Sequence, residues 1–404
     1  MAFVNSPQSE GRNCVIVGLD FGTTFSGISY ALLPKSEVQS FVWDLGGSYP
    51  LQKTPTRIEL SKTNIEWFEL SLLHRDDLPS DVRNSPRFIE FNDAREAINV
   101  TAVNATARYL DKIWKVFHEK LQENIPDPVI QLSVTVPMIW PNYARQAMEE
   151  AFNRAEILNE NVVLAPKLLI EPEAAALALF SSAYYFETNI SKLKPGQTVL
   201  ICDCGGGTVD TAAYEISSVY PFSIKEIHAG KCIFAGACLL DDGFMKLLKE
   251  KVKTLISPRA FKDLTDKDLY ELTSDRWEPG IKRCFDDDFP TQHIYLPIKW
   301  AASRQRKMPI GGGKAVTFTH ADIASIFDPI VGKITHLIEE EMLGISKDVS
   351  HLVVAGGLGQ NAYLRQRVAE ALARVSPTTN LVDYPKRDGW NAVSMGAITQ
   401  ALEA

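Results

Sequence analysis

The sequence predicts an α/β fold in which two similar lobes enclose a cleft. With 404 residues the chain is longer than one usual domain, so two lobes are the natural expectation. A pattern of strand, aspartate, glycine- and threonine-containing turn and return strand occurs twice, about 180 residues apart. A third junction joins an apolar strand to a helix through two glycines. These repeated junctions, separated by helical segments, indicate two related α/β units.

The hairpin at residues 199–214 has the strongest chemical signal. Its first strand runs into Asp203, three glycines and Thr208 form the turn, and the return strand starts at Asp210. Glycine lets backbone amides approach a phosphate closely, and consecutive amides in such a turn form a concave anion site. A carboxylate at the strand end can hold magnesium through its water shell. An ordinary hairpin is the alternative, but two turn residues suffice for it. The three glycines are Gly205, Gly206 and Gly207.

The hairpin at residues 15–30 repeats this arrangement. An apolar strand over 15–19 leads to Asp20, and a return strand follows over 26–30. Two hairpins of this kind predict two lobes that hold the phosphates of one nucleotide between them. The turn residues that would contact phosphate are Gly22, Thr23 and Thr24.

Composition and charge argue against several classes of protein. Hydrophobic residues make up 45% of the chain and charged residues 23%, as in ordinary globular proteins. The net charge of −8 argues against a nucleic-acid partner, since such proteins carry basic patches. No apolar run reaches the roughly 18 residues of a membrane span, and residues 1–13 lack the apolar core of a signal peptide. The sequence therefore predicts a cytoplasmic protein with no nucleic-acid or membrane partner.

Apolar periodicity and helix-start signals predict the other elements of the first half. A helix over 173–182 follows Glu171, and its alanines permit the close packing expected of a helix that crosses between two lobes. Glu171 could simply stabilise the helix dipole, an effect worth under about 1 kcal/mol. The remaining predicted elements are short strands near 56–60 and 65–70, a helix over 94–121, a strand over 131–136, a helix over 142–159 capped by Asn142, and a strand over 167–170.

In the second half, the third glycine-containing junction follows a strand over 351–355. Gly356, Gly357 and Leu358 leave space for a base or ribose, and the next helix offers free backbone amides. The glycines at 311–313 are interpreted as a turn, because no strand with a terminal acid precedes them. The remaining predicted elements are strands within 219–234, helices over 241–256 and near 266–285 (interrupted at Pro279 and Gly280), a helix to about 342 opened by a capping box of Thr319 and Asp322, a helix ending near 375 and a last helix over 391–402.

Five stretches, in order along the chain, resemble the actin-like ATPase superfamily and look most like the nucleotide-binding domain of the seventy-kilodalton heat-shock chaperones. Smaller details resemble a divergent branch that is common in fungi and related to the atypical twelfth group of animal chaperones. The five stretches are VGLDFGTTFSGI (17–28), SVTVPMIWPNYARQA (133–147), IEPEAAALAL (170–179), DCGGGTVD (203–210) and VVAGGLGQNAYLR (353–365). The details are Trp67 and Phe68, residues 281–285, 361–364 and 390–393.

The resemblance implies an actin-like ATPase fold, in which each lobe has a ribonuclease-H-like sheet core and a smaller insertion. ATP or ADP and Mg²⁺ would lie in the cleft between the lobes. The implied domains are a disordered lead at 1–13, lobe I at 14–190 (core 14–38 and 129–190, insertion 39–128) and lobe II at 191–404 (core 191–230 and 315–404, insertion 231–314).

The resemblance also implies a role for each matched residue. The phosphates would be held by Gly22, Thr23 and Thr24 from lobe I and by Gly205, Gly206, Gly207 and Thr208 from lobe II. Hydrated magnesium would be organised by Asp20 and Asp203, and the implied catalytic group is Glu171, Asp203, Thr208 and Asp210. Adenosine would be flanked by Lys282 and Arg283, whose alternative is a solvated basic pair, and supported by Gly356, Gly357 and Leu358.

The phosphate site departs from the family pattern at one important position. The family's lysine near the transferred phosphate has no match, and Glu69 stands where the divergent branch often has lysine. Lys53, Arg57 and Lys62 are candidates to replace it. Loss of one positioned cation typically costs about 10² to 10³ in rate, whereas binding can survive because backbone amides and magnesium supply much of it. At the adenine end, Gln360 replaces a stacking arginine.

These features predict an ATP-binding, chaperone-like protein with slow or impaired magnesium-dependent hydrolysis coupled to lobe closure. A co-chaperone or client protein would read the closure. The chain ends at Ala404, and no peptide-binding domain is expected. Three alternatives stay open. They are a nucleotide-independent interaction scaffold, a metabolite kinase of the same superfamily, for which no general base stands out, and an actin-like filament.

Overall fold

Two mixed β-sheets frame the structure, a computed structural model that describes residues 11–34, 37–44, 51–60, 63–138, 140–181, 193–297, 300, 314–384 and 386–403. The strands are β1 (Cys14–Phe21), β2 (Phe25–Leu32), β3 (Gln39–Ser40), β4 (Lys53–Pro55), β5 (Arg57–Leu60), β6 (Thr63–Glu66), β7 (Val129–Val136), β8 (Val162–Leu164), β9 (Leu169–Ile170), β10 (Thr198–Cys204), β11 (Val209–Val219), β12 (Phe222–His228), β13 (Cys232–Ile233), β14 (Gln292–Tyr295), β15 (Ala315–Phe318), β16 (Val349–Ala355) and β17 (Asn380–Leu381).

Helices cover both sheets and join them. In the described residues they are α1 (Ser80–Arg83), α2 (Pro86–Ala97), α3 (Ala102–Asn124), α4 (Asn142–Arg154), α5 (Glu171–Ser181), α6 (Ala237–Leu255), α7 (Pro258–Lys262), α8 (Asp266–Thr273), α9 (His320–Gly344), α10 (Gly356–Gly359), α11 (Ala362–Val375) and α12 (Lys386–Glu403). None of the described helices is long and apolar enough to cross a membrane.

The two sheets repeat the same local topology. In the first, β1 is antiparallel to β2 and parallel to β7; in the second, β10 is antiparallel to β11 and parallel to β16. Asp20 and Asp203 occupy equivalent positions, each one residue before the end of the central strand. This duplication confirms the predicted α/β class with two lobes, and it brings both aspartates to corresponding sheet edges.

A helix crossing joins the two sheets, as the alanines of α5 predict. Apolar residues of α5 and α12 share one buried cluster with strands of the second sheet, while α12 also packs against β1 and β2 of the first. The contact is close: a Cβ atom at Gly396 would lie 1.8 Å from the carbonyl oxygen of Ala174. The helix α12 thus contacts both sheets. The lobe boundaries drawn from the sequence stay a prediction.

The predicted helix over 94–121 is wrong in its boundaries, because two helices occupy this region. The first ends at Ala97, and Asn99 takes a left-handed conformation (φ 54°) that interrupts the helical path. Thr101 then caps the second helix, since its side chain accepts a hydrogen bond from the backbone N–H of Asn104. A left-handed asparagine ends a helix without the glycine that usually marks such an ending.

Other boundaries also differ from the predictions. The helix that starts at Asn142 ends at Arg154, and the Asn142 side chain is not its cap. Glu156, with φ 55°, prevents its continuation. The predicted helix near 266–285 is α8 followed by a π-helical turn over Trp277–Lys282 that contains the proline and glycine. The capping box at the start of α9 is confirmed. The glycines at 311–313 lie outside the described residues.

Candidate functional site

A cavity of about 420 Å³ lies where the two aspartate-bearing hairpins face each other. Its wall contains every residue to which the sequence assigned a role at the site except Asp210, which is buried and makes a hydrogen bond with Thr208. The wall residues from this set are Asp20, Gly22, Thr23, Thr24, Glu171, Asp203, Gly205, Gly206, Gly207, Thr208, Lys282, Arg283, Gly356, Gly357 and Leu358. Motifs separated by more than 300 residues of sequence therefore form one site.

The turns of the two hairpins interlock at one end of this cavity. A Cβ atom at Gly206 would lie 1.7 Å from Oγ1 of Thr24, and one at Gly207 would lie 2.7 Å from Oγ1 of Thr23. The glycine turn is also fixed from behind, because the backbone N–H of Cys238, near the start of α6, donates to the carbonyl of Gly206 at 2.9 Å. Only glycine permits this approach, so the two turns form one continuous wall.

Four buried carboxylic acids surround the interlocked turns. Burial is the largest cause of a raised pKa in each: the pKa rises to about 7 in Asp203, to about 6 in Asp210 and to about 8 in Glu69, and it rises well above its ordinary value in Glu171. Repulsion from neighbouring acids adds to this effect in Asp203, Glu69 and Glu171. An acid in this environment keeps its proton to a higher pH than usual unless a cation takes the proton's place.

The acids fit a hydrated divalent cation. Oδ1 of Asp203, Oδ1 of Asp210 and Oε2 of Glu69 are buried oxygens without a hydrogen-bond partner among the described residues. In the same described part of the chain, no three acid, cysteine or histidine side chains are grouped closely enough to hold a metal directly. Mg²⁺ commonly binds through one or two carboxylates, retained waters and substrate phosphates, so Asp20 and Asp203 suit it.

Glu171 is the first residue of α5 and lines the cavity, with 9% of its surface exposed. This position satisfies both alternatives drawn from the sequence, since the acid stands at a helix N-terminus and also faces the space that a nucleotide would fill. The crossing helix therefore presents a carboxylate directly to the site.

Lys53 and Glu69 are the site residues that sequence reasoning left open. Lys53, on β4, lines the cavity and forms a buried ion pair with Asp20. Of the other candidates for the missing cation, Arg57 is exposed and Lys62 lies outside the described residues. Glu69 also lines the cavity, is 1% exposed and accepts a hydrogen bond from Thr23. A carboxylic acid therefore stands beside the turn residue Thr23, at the position where the resembled divergent branch often has lysine.

The far end of the cavity is aromatic and basic. Lys282 is buried and lies 2.8 Å from carboxylate oxygens of both Asp241 and Glu278, so it is not part of a solvated basic pair. The Arg283 guanidinium lies 4.6 Å from the ring centre of Trp390, which also lines the cavity. A planar base could bind against such a surface.

The sequence alone did not predict how Gln360 and Trp390 contribute to this end of the cavity. The Gln360 side chain packs into the space that a side chain at Gly389 would need, 1.7 Å from the position of its Cβ atom. Trp390 was notable only as part of a family resemblance. A tryptophan at the start of a helix with many small residues is the signal that could have identified it.

The raised pKa values predict that the nucleotide-free protein loses stability as pH rises. In the unfolded chain these acids titrate near pH 4, so between about pH 4 and 8 the folded protein binds more protons. Each such group lowers the free energy of unfolding by up to about 1.4 kcal/mol per pH unit between its two pKa values. The midpoint temperature of thermal unfolding, measured in EDTA, should therefore decrease as the pH is raised from 6 to 8. Glu69→Gln should make this decrease smaller. A wild-type midpoint that rises over this interval, or an unchanged slope in Glu69→Gln, would contradict the burial of these acids.

Comparison with known proteins supports a distant relationship to the family that the sequence resembles. No family model matches the chain. Heat shock 70 kDa protein 12B of Homo sapiens is 23% identical over 317 residues, which cover 61% of this chain and 46% of that protein. A chaperone protein HscA homolog of Bordetella pertussis is 23% identical over 432 residues, covering 98% and 59%, and one of Neisseria meningitidis serogroup A is 25% identical over 414 residues, covering 96% and 58%.

The chain spans about half the length of the curated relatives that it matches. The matches to the two HscA homologs cover nearly the whole chain, and its two-lobed α/β structure is consistent with the actin-like ATPase fold of these chaperones. The chain is a distant homologue of the seventy-kilodalton heat-shock proteins and shares homology with their ATPase domain.

Proposed function

We propose that this protein binds ATP with magnesium between its lobes, hydrolyses it slowly and uses lobe closure as a chaperone-like signal to a client or co-chaperone. The observation that carries the proposal is the pair of interlocked glycine- and threonine-containing turns, each preceded by a buried aspartate, at the base of one cavity. This arrangement offers backbone amides to phosphates from both sides and carboxylates to a cation.

The proposed roles follow the positions of the residues. The turn residues Gly22 to Thr24 and Gly205 to Thr208 hold the phosphates, and Asp20 and Asp203 hold the hydrated magnesium. Bound magnesium would neutralise charge on the phosphates. Glu171 orients the attacking water. Asp210 is the second candidate for this role, and it would act through its hydrogen bond with Thr208.

The adenosine part would lie at the far end of the cavity. Gly356, Gly357 and Leu358 form its floor, and Lys282 is held in place by two acids. Arg283 with Trp390 offers a flat surface for the base, which compensates for the stacking arginine that Gln360 replaces. The similarity to heat shock 70 kDa protein 12B supports the proposed relation to the atypical twelfth group, and the fungal branch stays a prediction.

Slow hydrolysis is proposed because of the charge at the phosphate end. Glu69 brings a carboxylic acid to a position where the family pattern supplies a cation, and it lies against the phosphate-turn residue Thr23. A missing positioned cation costs about 10² to 10³ in rate. The same excess of acid favours a second candidate, a scaffold that works without nucleotide, because unneutralised carboxylates repel triphosphate.

Single-turnover hydrolysis of magnesium-ATP, with protein in excess, tests the proposal. We expect slow conversion by the wild type and none by Asp203→Ala, because that change removes a proposed magnesium-holding carboxylate. Asp76→Ala is the matched control, since the Asp76 side chain is 99% exposed and is not among the residues of the cavity wall, and it should behave as wild type. ATP that binds without being hydrolysed would refute the catalytic part of the proposal. Hydrolysis that persists in Asp203→Ala would exclude this cavity as the active site.

A further inference from the structure

Lys53 occupies a special position among the charges of the cavity. In the described part of the chain, three cationic side chains line the cavity: Lys53, Lys282 and Arg283. Lys282 is held by two acids, and Arg283 lies against Trp390 at the far end. Within the described residues, Lys53 is therefore the cation that faces the interlocked phosphate turns.

The surrounding strands fix the direction of the Lys53 side chain. Lys53 pairs with Gly27 across β4 and β2, and a Cβ atom at Gly27 would come within 3.1 Å of Cγ and 3.2 Å of Cε of the lysine. The lysine stem therefore lies flat over the glycine. Beyond β4, the backbone N–H of Thr56 donates to the carbonyl of Thr24 at 2.8 Å, which ties this segment to the phosphate turn.

The ammonium group of Lys53 contacts the carboxylate of Asp20, the predicted magnesium-holding acid. Only 10% of the Lys53 side chain and 6% of the Asp20 side chain are exposed. A buried pair of this kind offers little net stability compared with apolar residues, so its presence calls for a use beyond packing. Its location supplies one: a lysine in contact with the carboxylate that would hold the cation is within reach of the phosphates that the same cation binds.

We infer that Lys53 is the residue that contacts the terminal phosphate of ATP, and that it supplies positive charge there for binding without restoring the cation missing at Glu69. Without nucleotide, the ammonium neutralises Asp20. When ATP binds, the ammonium exchanges its bond to Asp20 for a bond to a terminal phosphate oxygen, and the carboxylate of Asp20 becomes available to the hydrated cation. The lysine arrives from β4, a different segment from the one that contains Glu69. This inference rests on the proposed ATP binding.

Preference for ATP over ADP is the property that isolates this role, because ADP lacks the terminal phosphate. A hydrogen bond to a charged group contributes roughly 1.5–3 kcal/mol, which corresponds to about a 10- to 150-fold change in affinity. Lys53→Met should therefore weaken ATP binding by at least about tenfold while changing the affinity for ADP much less. Arg57→Met, in the same segment but exposed, is the matched control and should leave both affinities unchanged.

The experiment is calorimetric titration of the full chain with ATP and with ADP, each in the presence of magnesium. Lys53→Met could fold poorly because it leaves Asp20 buried and unpaired, so a second comparison sets Asp20→Asn/Lys53→Met against Asp20→Asn. Neither variant contains an unpaired Asp20 carboxylate, and the double variant also removes the buried ammonium that Asp20→Asn leaves without its ion-pair partner. In both comparisons, losing Lys53 should reduce the ratio of ATP to ADP affinity. An unchanged ratio would refute this role and leave Lys53 as a structural partner of Asp20. Failure of the wild type to bind either nucleotide would instead refute the proposed function.

Discussion

Gly206→Ala should abolish tight nucleotide binding while each lobe keeps its fold. The new Cβ atom would lie 1.7 Å from Oγ1 and 2.7 Å from Cβ of Thr24, and Thr24 cannot easily retreat because its carbonyl accepts a hydrogen bond from Thr56. The two phosphate turns must therefore separate. Misplacement of reacting groups by about 1 Å can cost on the order of 10²-fold in rate, and we expect a loss of similar size in the affinity for magnesium-ATP.

A double-mutant cycle tests whether the contact between the turns is the cause. Thr24→Gly removes the obstructing side chain, so adding Gly206→Ala in that background should cost much less than it does in the wild type. Calorimetric titration with ATP gives the four affinities, and thermal unfolding checks that each variant is folded. Gly206→Ala with wild-type affinity, or equal losses in both backgrounds, would show that the turns do not meet in the way described.

Gly396→Ala should cause a large loss of stability from a single methyl group. Its Cβ atom would lie 1.8 Å from the carbonyl oxygen and 2.4 Å from the carbonyl carbon of Ala174, so backbone, not a movable side chain, obstructs it. The crossing helices α5 and α12 would be forced apart, and Glu171 at the start of α5 would shift with them. Overpacking in a well-packed core costs about 1–3 kcal/mol or more, and we expect the upper end of that range.

Gly332→Ala provides the matched control for this prediction. Gly332 lies in the middle of α9, is exposed, and has no atom within 4 Å of the position that a Cβ atom would take. Alanine there should raise the free energy of unfolding by about 0.5–1 kcal/mol, because glycine loses more backbone freedom on folding. Denaturant unfolding of both variants makes the comparison. A Gly396→Ala protein as stable as wild type would contradict the close helix crossing.

The parts of this site that the sequence predicts share a physical reason. The strand around Leu200 and the one around Val17 are apolar runs that lead to an aspartate, with glycine two residues later, and both local signals act within a few residues. The capping box at Thr319 is equally local. Such elements need no knowledge of distant contacts, so the two lobes and most of the cavity wall follow from the sequence.

The contributions of Lys53 and Glu69 depend on long-range packing instead. Lys53 reaches the cavity because a three-residue strand pairs with β2, whose paired residues lie more than 20 positions earlier in the chain. Glu69 is a charged residue in a fully buried position, which composition and periodicity predict to be exposed. Local rules fail at these two positions, and functional sites are where such failures are expected.

The long-range packing that buries Glu69 also buries the other carboxylic acids of the site, and few cationic side chains in the described part of the chain offset them. The buried carboxylic acids lower the stability of the empty protein at neutral and higher pH, and only one lysine faces them among the described residues. Binding of magnesium and nucleotide would relieve this cost. Occupancy of the cleft would therefore stabilise the closed arrangement of the lobes, which is the signal that the proposed function requires.

Calorimetric titration of the wild-type protein with ATP, with and without magnesium, tests the central claim most directly. The account predicts one bound ATP per chain in the presence of magnesium, much weaker binding when EDTA removes the cation, and little or no binding by Gly206→Ala. The result that would contradict it is an absence of binding at millimolar magnesium-ATP by a protein that unfolds cooperatively, because the interlocked turns and buried acids would then serve no nucleotide.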